Sequence, residues 1–243
     1  MALLKILQVT KRFGGIIALK NISFDIHDGE IVGIIGPNGA GKTTLFNIIT
    51  GFLRPDEGKV IFKGEDITKL RPHEICKRGI ARTFQLTQPF PNLSVLDNVK
   101  IGAYNRMDSE SEVAAEAERV LQMLGLWHKR NELASSLSVG HRKSLELARA
   151  LATRPQVLLL DETVSGLNPR ETDEMISNIK KIHEAGVTIL LVEHVMKVVM
   201  TLAERIVVIS FGEKIAEGVP MEICRNPKVV EAYLGESDGF GSR

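Results

Sequence analysis

The sequence predicts an α/β fold, in which short buried strands alternate with helices around a mostly parallel sheet. Short β-branched runs and longer stretches of helical periodicity follow each other along the 243 residues, as is typical of strands joined by helical crossovers. The strands are almost continuously apolar, which is expected when helices cover both faces of a sheet. We predict central strands at 30–36, 156–162, 188–194 and 205–210.

Three further runs, at 4–9, 16–24 and 59–63, alternate between apolar and polar residues. Alternation is typical of strands that bury only one face. The turn-forming segment 55–58, with the sequence Pro-Asp-Glu-Gly, precedes the last run. We assign these three strands to a smaller antiparallel layer.

The segment 87–154 contains no convincing strand and at least two predicted helices. Ser109 and Glu112 have the spacing of a capping box, and apolar residues at helical spacing follow them. A second helix is predicted from Gly140 to about Thr153. We predict one domain over 1–243, with the α/β core and β layer at 1–86 and 155–236, an inserted helical subdomain at 87–154 and a flexible tail at 237–243.

Composition narrows the classes of partner and compartment. Lys and Arg number 31 and Asp and Glu number 30, so the net charge is +1 and gives no overall attraction to nucleic acid or to an anionic membrane. Apolar runs stop after a handful of residues, whereas a membrane-spanning helix needs about 20. The N-terminus lacks the pattern of a signal peptide, and Cys76 and Cys224 do not form a disulfide framework. We expect a cytoplasmic protein.

Residues 36–43 match the phosphate-binding pattern G-x-x-x-x-G-K-[ST], between an apolar strand and a predicted helix. Lys42 is expected to reach the β- and γ-phosphates of a nucleotide, and the Thr43 hydroxyl is expected to bind Mg²⁺. The alternative is a glycine-rich turn that only joins strand to helix. It does not explain why Lys42 and Thr43 both stand at the positions that the pattern requires. The fold is therefore predicted to be a P-loop NTPase (RecA-like) core. The predicted nucleotide-binding residues of the loop are Gly36, Pro37, Asn38, Gly39, Ala40, Gly41, Lys42, Thr43 and Thr44.

An acidic pair, Asp161 and Glu162, ends the predicted strand 156–162. The carboxyl ends of parallel strands are where ligands of such sheets bind. We predict that Asp161 belongs to the Mg²⁺ shell and that Glu162 is the general base that polarises the attacking water. An acidic pair alone is often a solvated edge or a helix cap, so this interpretation depends on the phosphate-binding loop.

Together with the sequence Leu-Ser-Val-Gly-His at 137–141, these motifs resemble the nucleotide-binding subunits of ABC transporters, over about residues 4–236. Segment 137–141 is similar to the family's signature Leu-Ser-Gly-Gly-Gln. The resemblance implies that two subunits face head to tail, with ATP between the loop of one subunit and Ser138 and Gly140 of the other. A helix that begins at Ser138 would direct its positive end at the γ-phosphate, although Ser138 also fits a simple helix N-cap.

The resemblance also implies roles for three residues that are not convincing alone. Gln85 corresponds to the glutamine that senses Mg²⁺ and water before the helical subdomain, His194 to the switch histidine at the γ-phosphate, and Phe13 to the aromatic residue that stacks on adenine. A lone glutamine is usually a surface residue, a histidine at a strand end is often buried, and Phe13 also fits core packing.

Within the family, the closest resemblance is to the ATPases of branched-chain amino-acid uptake systems. Four segments carry it, at 78–85, 166–172, 193–197 and 226–236. The last segment alone also resembles lipopolysaccharide-export ATPases. The resemblance implies an ATP-binding and ATP-hydrolysing subunit that powers a membrane importer, with ATP and Mg²⁺ as cofactors.

Three residues depart from the family pattern. Val139 replaces the first glycine of the signature, His141 replaces its glutamine, and Thr163 replaces the proline that usually follows the acidic pair. These departures leave the turnover rate open.

The partners implied are a second copy or a sibling ATPase, membrane permease subunits and, indirectly, a substrate-binding protein. We expect the 86–93 loop to contact the permease through Phe90 and Leu93, which places the chain on the inner face of the cell membrane. The alternative is that Phe90 and Leu93 cap the core of the subdomain.

Other classes of protein share parts of this pattern. A soluble ABC-type ATPase that acts on ribosomes or nucleic acid would usually carry duplicated cassettes, long insertions or basic arms, which this chain lacks. A P-loop GTPase or small-molecule kinase would not explain Ser138 and Gly140. A binding regulator without turnover stays open.

Overall fold

The structure is a computed structural model that describes residues 2–84 and 89–234. The chain forms two compact units, Met1–Pro72 with Leu190–Arg243 and His73–Ile189. The strands are β1 (Ala2–Phe13), β2 (Ile16–His27), β3 (Ile31–Ile35), β4 (Glu57–Phe62), β5 (Glu65–Asp66), β6 (Ile80–Arg82), β7 (Val157–Asp161), β8 (Thr188–Val192), β9 (Arg205–Ser210) and β10 (Glu213–Gly218). The helices are α1 (Lys42–Ile49), α2 (Pro72–Arg78), α3 (Val95–Ala103), α4 (Glu110–Met123), α5 (Val139–Leu151), α6 (Pro169–Glu184), α7 (Met196–Leu202), α8 (Pro220–Ile223) and α9 (Pro227–Leu234).

The first unit contains the antiparallel sheet that the alternating pattern predicts. Its strand order is β2-β1-β4-β5, and Ile6 of β1 pairs with Phe24 on one side and Val60 on the other. All three of these side chains are buried. The antiparallel layer is confirmed, with β1 and β2 extending further than predicted to meet at Phe13 and Ile16.

The buried strands form the mixed sheet of an α/β fold. In the first unit β9 lies between β10 and β3, and in the second unit β6 pairs with β7. Strand β3 runs parallel to β9, with Ile34 beside Val207, and β10 is antiparallel to β9. Every residue of β3, β7 and β8 is buried, as expected for strands covered on both faces.

Between residues 89 and 154 the structure has helices joined by turns and loops, with no strand other than an isolated bridge between Ser94 and Leu133. Helix α4 begins after Ser109, whose hydroxyl accepts a hydrogen bond from the Glu112 amide. The predicted capping box differs in its second half, because the Glu112 carboxylate accepts a hydrogen bond from the Ser109 hydroxyl, at 2.9 Å. The subdomain boundaries at 87 and 154 stay a prediction.

No helix in residues 2–84 or 89–234 is long and apolar enough to cross a membrane.

Helices α3 and α5 approach each other closely at Gly102. A Cβ built there would lie 2.2 Å from the backbone oxygen of Arg149. We predict that Gly102→Ala destabilises the protein by about 1–3 kcal/mol, because a methyl group overpacks the contact. Gly15→Ala is the matched control, since its Cβ would meet no atom within 4 Å. Thermal unfolding tests this, and equal midpoints for the two variants would contradict it.

Candidate nucleotide-binding and hydrolysis residues

The loop between β3 and α1 has the form of a phosphate cradle. Gly36 leaves β3 with φ 154°, and a Cβ there would lie 1.9 Å from the backbone oxygen of Ile209. Helix α1 then begins at Lys42, with Gly41 at its N-cap and without a capping side chain. The first-turn amides of a helix attract anions. The loop therefore offers the backbone donors that phosphate binding requires.

Lys42 is folded against its own loop. Its side chain is buried, and Nζ donates hydrogen bonds to the backbone oxygens of Gly36, at 2.6 Å, and Pro37, at 2.8 Å. Thr43, the next residue, is exposed. The structure thus places the loop carbonyls, the lysine and the threonine of the predicted motif next to one another in the first unit.

Two other predicted residues of the first unit are exposed. Phe13 is 47% exposed at the end of β1, with Lys11 Nζ 5.4 Å from its ring centroid. Core packing therefore does not explain Phe13. His194 follows β8 and is also exposed, so it is not the buried histidine of the alternative interpretation.

In the second unit, the acidic pair lies at the end of β7. Asp161 is 2% exposed, and its Oδ2 accepts a hydrogen bond from Arg82 Nη2 of β6, at 2.9 Å. Burial lowers the pKa of the Arg82 guanidinium, while Asp161 and Glu146 oppose that shift; arginine nevertheless stays charged. The ion pair therefore compensates the Asp161 carboxylate for its burial. The solvated-edge alternative does not describe Asp161.

Glu162 has a backbone conformation that is rare for its residue type. Its φ is 49°, in the left-handed region, and the residue is half-buried. Its carbonyl oxygen accepts hydrogen bonds from Lys143 Nζ, at 3.1 Å, and from the Ser165 amide, at 3.2 Å. Such backbone strain often occurs at functional sites.

Ser138 is the N-cap of α5, as both interpretations of the sequence require. Its hydroxyl accepts the His141 amide, at 3.3 Å, and lies 3.0 Å from His141 Nδ1. Burial, followed by the nearby Lys129 and His128, lowers the pKa of His141 below its ordinary value of about 6.5. The shift favours the neutral form of His141.

A cleft of about 360 Å³ opens beside the start of α5. Ser138 and Gly140 line one side, and Glu171 and Lys181 of α6 line another. Helix α6 begins with a capping box, in which Asn168 accepts the Glu171 amide and Glu171 accepts the Asn168 amide. Ser138 is exposed at this cleft, whereas Gly140 is buried, and a Cβ built on Gly140 would lie 2.6 Å from Glu171 Oε1.

Gln85 lies outside the described residues, as do 86–88 of the predicted permease loop. The residue before it, Phe84, donates its amide proton to Glu146 Oε1, at 2.6 Å. Sequence reasoning did not single out Arg82, Lys143 or Glu146. Each is a charged residue whose partner is distant in the sequence. Helical periodicity alone would place Lys143 and Glu146 at the surface, and Arg82 lies on the three-residue strand β6.

Comparison with known proteins agrees with this assembly of motifs. A family model described as ABC transporter matches residues 19–165, and one described as branched-chain amino acid ATP-binding cassette transporter matches residues 213–239. BraF of Pseudomonas aeruginosa, a high-affinity branched-chain amino acid transport ATP-binding protein, is 38% identical over 251 residues, which cover 97% of this chain and 98% of BraF.

Solved structures give the same result. MJ1267, an ATP-binding cassette of an ABC transporter, superposes with a TM-score of 0.89 at 36% identity, over 96% of this chain and 99% of MJ1267; it is also known in an ADP conformation. The dimeric bacterial ABC transporter cassette MJ0796 has a TM-score of 0.80 at 31% identity, over 89% of this chain and 98% of MJ0796. Because one family model spans more than half of the chain and BraF aligns over nearly all of it, the chain belongs to the ATP-binding subunits of ABC transporters.

Proposed function

We propose that this chain binds and hydrolyses ATP to power a membrane importer of branched-chain or related amino acids. The observation that carries the proposal is the 38% identity with BraF over 97% of the chain, joined to the family match at 213–239. BraF is named for branched-chain amino acid transport, and we extend that substrate class to this chain.

The nucleotide is proposed to bind at the loop 36–44. Lys42 would exchange its bonds to the Gly36 and Pro37 oxygens for bonds to the β- and γ-phosphates, since both kinds of partner are oxygen acceptors. Phe13, exposed at the end of β1, would stack on adenine, because a flat exposed ring suits a base face.

Magnesium is the metal that fits the donor set. The Thr43 hydroxyl and the Asp161 carboxylate are hard oxygen ligands of the kind Mg²⁺ prefers, and Gln85 is proposed to supply an amide oxygen. When bound, Mg²⁺ offsets the negative charge of the β- and γ-phosphates. Arg82 pairs with the Asp161 carboxylate in its buried position, and this ion pair compensates the carboxylate for lost water.

For hydrolysis, we assign the general base to Glu162, which would accept the proton of the attacking water. His194 is proposed to contact the γ-phosphate, and Gln85 to orient the water and the metal. Ser138 and Gly140 of a second subunit would complete the site, because the amides that open α5 favour an anion. Dimeric MJ0796 supports this arrangement.

The permease is proposed to dock on the loop that ends at Leu93. Phe90 is 45% exposed and Leu93 is 37% exposed. The side chain of Asn98, which is buried, forms hydrogen bonds with the backbone of this segment. The Asn98 side chain accepts the Phe90 amide at 2.9 Å and donates to the oxygens of Phe90, at 3.1 Å, and Ser94, at 2.9 Å. Exposed apolar residues beside such hydrogen bonds are suited to anchor a partner helix. This docking would place the chain on the inner face of the membrane, with 87–154 as the subdomain that moves.

We predict that Glu162→Gln binds ATP with parental affinity but lowers phosphate release by at least about 100-fold, because an amide cannot accept the proton. Lys42→Ala is the contrasting variant, in which the main expected defect is a loss of nucleotide affinity. Phosphate release and binding of a fluorescent ATP analogue separate the two defects. Size-exclusion chromatography in Mg-ATP is expected to show a trapped dimer for Glu162→Gln. Hydrolysis at the parental rate would exclude Glu162 as the base.

The substrate class is tested in cells whose chromosomal copy carries Glu162→Gln. Uptake of labelled leucine, isoleucine and valine is expected to fall, because the importer loses its energy source. Uptake of an unrelated solute, such as a sugar, is the control and is expected to stay parental. Normal leucine, isoleucine and valine uptake in the variant strain would contradict the proposed substrate class.

We predict that Phe90→Ser combined with Leu93→Ser reduces co-purification with the cognate permease while ATP binding is kept. The reason is the loss of apolar anchors from a surface that carries no proposed nucleotide contact. Phe211→Ser is the matched control, since Phe211 is 88% exposed on the turn between β9 and β10. Unaltered assembly of the double variant would show that Phe90 and Leu93 do not anchor the permease.

A further inference from the structure

Lys143 is a charged residue in the interior of the second unit. It lies on α5, is 7% exposed, and donates a hydrogen bond from Nζ to the backbone oxygen of Glu162, at 3.1 Å. Burial of an ammonium group is unfavourable unless polar partners compensate for lost water. The position of Lys143 is thus a costly feature of the helix that begins at Ser138.

The carbonyl that Lys143 contacts belongs to a strained residue. Glu162 has φ 49°, and a left-handed conformation costs roughly 1–2 kcal/mol for a residue other than glycine. Strain of this kind persists only where surrounding contacts hold it. The Ser165 amide is a second donor to the same oxygen, at 3.2 Å. Two donors on one carbonyl fix the peptide plane after Glu162, and with it the direction in which the Glu162 side chain leaves the backbone.

The same helix holds the chain that leads towards Gln85. Glu146, one turn after Lys143, is 9% exposed and accepts the Phe84 amide at 2.6 Å. Ser138 caps the helix five residues before Lys143, a separation of about 7.5 Å along a rigid helix. Helix α5 therefore connects the signature residues at its start with the backbone of Glu162.

We propose that Lys143 is a positioning residue for hydrolysis: it holds Glu162 in the left-handed conformation and links the orientation of that side chain to the signature end of α5. The inference rests on the proposed role of Glu162 as the general base. Lys143 does not touch the nucleotide in this proposal. It acts through the Glu162 carbonyl, so its loss should slow the chemical step and spare the binding of ATP.

The test compares Lys143→Met, which removes the donor, with Lys143→Arg, which keeps a donor and a charge. Lys143→Met is expected to lower kcat by about 10- to 100-fold, since small displacements of a catalytic group have effects of this size, with less than about 3-fold change in ATP affinity. Lys143→Arg is expected to recover most of the loss. Lys180→Met is the matched control, because Lys180 is an exposed lysine on α6, and its kcat is expected to stay parental.

A second variant keeps the inference testable if Lys143→Met does not fold. In Lys143→Gln the amide nitrogen lies one bond nearer the backbone than the lysine Nζ, so it does not reach the Glu162 oxygen. The same loss of kcat is expected for this variant. Glutamine is uncharged and polar, so it tolerates partial burial. Thermal midpoints are measured for every variant, and kcat is measured well below the lowest midpoint.

The double variants separate positioning from a purely structural role. In the Glu162→Gln background, Lys143→Met is expected to cause no further loss of phosphate release, because the group it positions is absent. A lowered midpoint with parental kcat in Lys143→Met and Lys143→Gln would overturn the inference, as would a loss in ATP affinity equal to the loss in kcat. If Glu162→Gln itself hydrolyses ATP normally, the proposed function of Glu162 fails. If Glu162→Gln is inactive but both Lys143 variants turn over at the parental rate, only the present inference fails.

Discussion

The phosphate-binding loop depends on the close approach between Gly36 and the backbone of β9. The Ile209 oxygen occupies the space where any Cβ at position 36 would lie, so the loop can leave β3 in this direction only with glycine. Its far side is held by the turn between β9 and β10, since the Gly212 amide donates to the Ala40 oxygen at 3.1 Å. A loop fixed on both sides loses little conformational freedom on binding a ligand, which favours affinity. The bonds of Lys42 to two carbonyls of the same loop add to this rigidity.

Buried charges organise the second unit in a comparable way. Arg82 pairs with the Asp161 side chain, Lys143 with the Glu162 backbone, and Glu146 with the Phe84 amide. Apolar side chains would fill the same volume at a lower desolvation cost. Stability alone therefore does not account for three such contacts near the ends of β6 and β7. Directional hydrogen bonds do what apolar contacts cannot, because they fix the orientation of a carboxylate or a peptide plane.

The sequence predicts those parts of the fold that local patterns encode. The fully apolar strands and the glycine-lysine-threonine loop each carry their signal within a few residues. Strand β6 was not predicted, since three residues leave no periodicity to detect. The capping box at Asn168 and Glu171 had a readable signal, because Pro169 occupies the first helical position.

The contacts of Arg82 and Lys143 had no such signal. Arg82 meets a residue 79 positions away, and Lys143 meets one 19 positions away, so only the assembled fold identifies the partners. Leu145 and Ala148 lie at helical spacing and give α5 one apolar face. The buried surface of the helix extends beyond this apolar face and includes Lys143 and Glu146.

The departures from the family pattern differ in whether they alter only an exposed side chain or also the backbone of the site. Val139 is 46% exposed at the first position of α5, and a helix N-terminus acts on anions through its amides, so the valine changes the surface and leaves those donors in place. Thr163 is more consequential. A proline at 163 would restrict the preceding residue towards extended backbone angles, whereas threonine leaves the left-handed conformation of Glu162 accessible. With no proline ring to stiffen this turn, its shape rests on the hydrogen bonds that the Glu162 carbonyl accepts, and a buried lysine that supplies one of them becomes correspondingly more important.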